Sequence, residues 1–254
     1  MNKQLQSFVG LCACRIGLSG SKKCRRVYRG EQRLHGRAGL FGSLAVALLL
    51  IFTVSTMKAI DTTDTIYGTS AGANLTSGVA DSAFGYAALN AATTADAATA
   101  VGTSALRSNT VGYADSALGA LALYSNTTGG QDTAVGVAAM YYNTTGSNDS
   151  AIGFYALLYN NGDNNTATGN YALSGNTIGS SNTATGADAL SENTTANFNT
   201  ATGVSALFDN TTGSFNTATG GESLFSSSTG MGNVATGYSA LEANTTASFN
   251  SATG

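Results

Sequence analysis

Twelve glycines, Gly68, Gly85, Gly102, Gly119, Gly136, Gly153, Gly169, Gly186, Gly203, Gly220, Gly237 and Gly254, stand 17 residues apart, with one step of 16 between Gly153 and Gly169. A fixed short period means that one supersecondary unit is stacked many times, each copy burying its apolar side on its neighbours. The unit reads Asx-Ser/Thr-Ala-x-Gly-x-x-Ala-Leu-x-x-Asn-Thr-Thr-Gly-x-x, and the stretch from Asn199 to Phe215 follows it closely. Four places before each marker glycine stands Asp or Asn, Ala98 being the exception. Four places after it stands Leu89, Leu106, Leu123, Met140, Leu157, Leu173, Leu190, Leu207, Leu224 or Leu241, and only the first unit departs, with Gly72 there.

Seventeen residues are too few for a helical hairpin, and Gly, Asn and Thr are poor helix formers, so each unit is expected to be one coil of a parallel β-solenoid. Two short strands per coil are expected, Asx-Ser/Thr-Ala-x-Gly and the residues around x-Ala-Leu-x. The Asn-Thr-Thr-Gly segment is read as the turn between them, its Gly and Asn supplying positive φ. In a strand, the small Ala two places before each glycine faces inward while its neighbours face out. Ala from one strand and Leu from the other then form a thin core. At about 4.8 Å per coil, eleven steps give a rod of roughly 50 Å.

Charge divides the chain. Nine of the eleven Lys and Arg lie between Lys3 and Arg37, whereas from Ile60 onward thirteen acids face one base, Arg107. The acidity of the repeat region argues against nucleic acid as a partner, because phosphate binding is driven mainly by Lys and Arg. The uncharged 16-residue run from Gly39 to Val54, behind Lys22, Lys23, Arg25, Arg26, Arg29, Arg33 and Arg37, reads as a helical signal segment or a signal anchor, with cleavage expected near Ser55 or Ala59. Residues 1–59 are thus expected to be a leader and residues 60–254 a repeat domain truncated inside a repeat. The three cysteines, Cys12, Cys14 and Cys24, all fall in the leader. They have no fourth ligand at zinc spacing, and the repeat region has no disulfide to hold it.

One column changes character along the rod. Immediately before the marker glycine stand Tyr67, Phe84, Val101, Leu118, Val135 and Ile152, and then Thr168, Thr185, Thr202, Thr219, Thr236 and Thr253, the switch falling at the 16-residue step. Facing outward, the first set is an apolar stripe that marks an interface, with Phe84, Val101, Leu118, Val135 and Ile152 as the candidate chain contacts. Facing inward, the Thr half has lost core volume. Either reading leaves a lone chain under-packed, and a cyclic oligomer would repair that.

The segment Asp149-Ser150-Ala151-Ile152-Gly153, with its Ala-x-Gly-x-x-Ala register, resembles the head repeats of YadA-like trimeric autotransporter adhesins, over about Asp64 to Gly254. The resemblance implies a left-handed β-roll, three chains packed into one head, and adhesion to host matrix or cell surfaces, with a secreted or outer-membrane-anchored location. Two features depart from it: the additional Asn-Thr-Thr-Gly segment, and the lack of neck, stalk or membrane barrel before Gly254. The repeats also resemble segments of phage-type tail fibres.

Four chemistries are weighed on the residues. Thr166 with Thr168, Thr183 with Thr185, Thr200 with Thr202 and Thr217 with Thr219 are pairs two apart that share a face. Such a Thr-x-Thr array resembles the ice-binding face of β-solenoid antifreeze proteins, although β-branched Thr also suits any strand surface. The column Asp115, Asp132, Asp149 could attract Ca²⁺, but its replacement by Asn from Asn165 onward favours turn capping, and no metal or other cofactor is expected. Asn126, Asn143, Asn193, Asn210 and Asn244 begin formal glycosylation acceptors, or else form a turn ladder. Catalysis lacks its parts, since the only histidine, His35, lies in the leader. The expected function is a non-catalytic, adhesin-type binding module, with a tail-fibre segment and an ice-binding solenoid as alternatives.

Overall fold

The computed structural model describes residues 63–254; the expected signal segment and the cysteines lie outside the described residues. Twelve three-residue strands form one parallel sheet in strict sequence order: β1 Thr65–Tyr67, β2 Ser82–Phe84, β3 Thr99–Val101, β4 Ser116–Leu118, β5 Thr133–Val135, β6 Ser150–Ile152, β7 Thr166–Thr168, β8 Thr183–Thr185, β9 Thr200–Thr202, β10 Thr217–Thr219, β11 Val234–Thr236 and β12 Ser251–Thr253. Each strand pairs with its counterpart one repeat away, Ala134 with Ala151 and Ala151 with Ala167, so the register passes through the 16-residue step unbroken. The described residues are therefore an all-β parallel solenoid of 17-residue coils.

The expected inward columns hold. Ala100, Ala134, Ala151, Ala184 and Ala201 from the strands, and Leu106, Leu123, Met140, Leu157, Leu190 and Leu207 from the opposite wall, have no exposed surface. They belong to one continuous apolar cluster running through the coils. The interior thus closes within a single chain.

Among the described residues the expected second strand of each coil is absent. Around Ala-Leu the backbone alternates in hand: in the coil from Asn182 to Phe198, Asp188 has φ 56°, Leu190 φ 52° and Phe198 φ 58°. A left-handed non-glycine residue costs roughly 1–2 kcal/mol. Hydrogen bonding between coils offsets that cost, because the reversed conformations keep successive N–H groups along the rod axis. Leu106 donates forward to the carbonyl of Ala122 at 3.0 Å, and Ser104 donates backward to that of Tyr86 at 2.8 Å. Both groups would otherwise be buried without partners.

The turn assignment is also corrected. None of Asn126, Asn143, Asn193 and Asn210 has positive φ, and neither do Gly129, Gly146 and Gly213. Those glycines are required by space instead: a Cβ on Gly129 would overlap the carbonyl oxygen of Gly146 and press on the Asn126 side chain. The marker glycines need both space and conformation. Gly136 has φ 135°, and a Cβ there would overlap the carbonyl of Gly153.

Candidate functional site

The side chains on either side of each strand Ala point outward, which decides the orientation that the sequence left open. Leu118 is 53% and Ile152 49% exposed, Phe84 is also exposed, and Val101 and Val135 are half-buried. The five expected contact residues therefore lie in one apolar outer column on β2 to β6, brought into line by the register Phe84, Val101, Leu118, Val135, Ile152.

The same face continues into β7 to β10 as two Thr columns. Thr166, Thr183, Thr200 and Thr217 pair across one edge of the strands, and Thr168, Thr185, Thr202 and Thr219 across the other. All eight side chains face out, Thr217 being partly covered and the rest exposed. The hydroxyls and methyls stand about 4.8 Å apart along the rod and about 6.6 Å apart across it. Such a face can make many equivalent shallow contacts with a flat or periodic partner. Among the described residues there is no cluster of three or more His, Cys, Asp or Glu able to hold a metal ion.

The Asx column lies inside the rod, where its side chains bond to backbone N–H groups of the next coil. Asp115, Asp132, Asp149, Asn165 and Asn182 have no exposed surface. Each Oδ1 accepts the backbone N–H of the next member, Asp115 from Asp132 at 3.0 Å, Asp132 from Asp149 at 2.9 Å and Asn165 from Asn182 at 3.0 Å. A second interior column, Asn126, Asn143 and Asn160, donates Nδ2 to the other carboxyl oxygen of Asp115, Asp132 and Asp149 at 3.0, 3.1 and 2.8 Å.

Past the irregular step this network is rewired. Asn182 and Asn199 have an amide to donate and give it to the carbonyls of Ala196 and Gly213. The facing asparagines then bond to one another, Asn193 to Asn176 at 2.7 Å and Asn210 to Asn193 at 3.1 Å. The exchange of Asp for Asn thus changes the interior wiring, since a carboxylate only accepts and an amide does both. Asp81 shows the cost of a gap. The facing position holds Ala92, and the buried Oδ2 of Asp81 has no partner.

Burial drives the protonation of the acid column. It pushes Asp115 and Asp149 up to about 7, partly offset by N–H donors. Asp132, also repelled by the carboxylates above and below, rises to about 8, and burial raises Asp81 to about 6.

The interior position also settles the glycosylation reading. Asn126, Asn143, Asn193 and Asn210 are fully buried, so a glycan cannot be carried there by the folded rod, whereas Asn244 is partly exposed.

Reading the sequence as one repeat missed the aromatic ladders. Tyr124 stacks on Tyr141 with ring centroids 4.8 Å apart, Tyr142 on Tyr159 at 5.0 Å, Phe198 on Phe215 at 5.2 Å and Phe208 on Phe225 at 5.2 Å. Arg107 caps the first ladder, its guanidinium 5.6 Å from the Tyr124 ring and bonded to its hydroxyl. The signal was available, because all four pairs are aromatic residues one 17-residue period apart. Comparison with protein-family models, curated proteins and solved structures gives no match for this chain.

Proposed function

We propose that the chain is a non-catalytic, adhesin-type binding rod whose outer sheet face engages an extended partner such as extracellular matrix or a cell surface. The observation that supports this is the repetition of one outward face over twelve strands in register. Many weak, equivalent contacts along a rigid face add up by effective concentration, without any deep pocket. The resemblance to YadA-like heads suggests a left-handed coil, a homotrimer, and a secreted or outer-membrane setting. In a trimer the exposed column Phe84, Val101, Leu118, Val135 and Ile152 would be covered by neighbouring chains. The test is adsorption of the full chain to matrix-coated and cell surfaces, with Thr185→Lys and Thr202→Lys on the sheet face. Binding that is unchanged by both variants rejects the sheet face as the contact.

The eight outward Thr favour one other reading. Their two-column spacing suits a lattice of water molecules, as in an ice-binding solenoid. Thermal hysteresis and faceted ice growth that disappear in the same variants would establish it in place of adhesion.

A further inference from the structure

The interior divides at Asn165 into an acid-wired and an amide-wired half, and the two must respond differently to protons. Asp115, Asp132 and Asp149 lie in consecutive coils, fully buried, each bonded through Oδ1 to the next member's backbone. The groups facing them are the amides of Asn126, Asn143, Asn160 and Asn165, with the exposed Asp163 adding repulsion at Asp149. Asp81, separated from this run by Ala98, is flanked by the carboxylates of Asp64 and Asp96. The one base among the described residues is Arg107, and it is held on the Tyr124 ring. No cation therefore offsets three stacked buried carboxyl groups.

We infer that the rod carries a proton-dependent half: the coils from Asp81 to Asn165 tighten when the buried aspartic acids take up protons and loosen as those protons leave, while the coils beyond Asn165 keep their packing. The raised values around 6 to 8 set the upper end of this response near neutrality. The sign follows from linkage. In the unfolded chain these groups lose their protons near the ordinary aspartic acid value of 3.8, so the folded form holds more protons between there and its own raised values. Stability from these groups is full below the unfolded value, falls as pH rises through the folded values, and is level above them. The apolar outer column sits on the same coils, so its presentation is coupled to pH.

The test is hydrogen exchange of the full chain at pH 5.5 and 8.5, corrected for intrinsic exchange and read by peptide. Protection in residues 115–165 is expected to fall at least about tenfold at the higher pH, the change that one pKa unit of a single buried group produces. Residues 182–233 are expected to keep theirs. The variant Asp81→Asn, Asp115→Asn, Asp132→Asn, Asp149→Asn is expected to abolish the difference. In the reverse variant, Asn182→Asp with Asn199→Asp, the second half is expected to acquire the response, a readout that stands even where the fourfold variant does not fold. Equal loss of protection in both halves, a pH response retained by the fourfold variant, or a pH-indifferent reverse variant would each overturn the inference.

Discussion

The side-chain oxygen of Asn161 accepts both the backbone N–H of Thr144, at 2.8 Å, and its hydroxyl, at 2.7 Å. In a regular coil one backbone carbonyl does this work, as Thr144 O does for the N–H and hydroxyl of Thr127 at 3.0 and 2.9 Å. The 16-residue step has the single Asn161 where a regular coil has Thr-Thr, and its side-chain oxygen takes the place of the backbone carbonyl. This substitution is how the rod absorbs a deletion without breaking the sheet.

Asn161→Ala removes that acceptor and leaves two partly buried donors unmatched, at a cost of about 1–3 kcal/mol. Asn161→Asp keeps the acceptor and should lose less. Replacing Asn161 by Thr-Thr, which restores the 17-residue period, should recover the loss. Denaturant midpoints of the four proteins check the order.

Gly136→Ala should be strongly destabilising, because the residue sits at φ 135° and the new methyl meets the backbone of Gly153. The conformational strain alone is about 1–3 kcal/mol. Gly221→Ala is the control: a Cβ there finds only ordinary contacts with the Tyr238 ring, and its φ is not positive. Thermal melting should separate the two clearly, and equal losses would contradict the close packing of coils at the marker glycines.

Leu157→Ala should cost about 2–5 kcal/mol, as for other fully buried leucines. The adjacent Leu158→Ala, half-buried, should cost less than half of that. Unfolding by urea, followed in each variant, reads the difference. A larger effect at Leu158 would place the wrong side chain in the core.

Leu118→Lys and Ile152→Lys interrupt the apolar outer column at exposed positions. Stability should change by no more than about 0.5 kcal/mol. Self-association of the full chain, measured by sedimentation velocity, should fall in both. A native chain that is monomeric at micromolar concentration removes the trimer.

The 17-residue glycine period, with Ala two places before it and Leu four after, was enough to give the parallel solenoid and its two inward columns. Both follow from spacing alone, since a repeat has to put the same residue in the same place. The candidate face was legible only in part. The Thr pairs and the column from Phe84 to Ile152 were visible as sets, but their outward direction depends on the path of the chain around each strand. The stacked tyrosines needed no more than the period, yet they stand in positions that the consensus leaves unspecified.

What the sequence by itself determined is therefore the period, the sheet and the identity of the residues that recur. The tertiary structure decided that Leu106 and its equivalents sit in left-handed backbone rather than in a second strand, and that the Asp and Asn column lies inside. The reason is common to both. These conformations are set by hydrogen bonds to the neighbouring coil, as Leu106 N–H is by Ala122 O, 16 places on, and Asp132 N–H by Asp115 Oδ1, 17 places back. Such bonds can outweigh local propensity, and they exist only once one coil has been laid on the next.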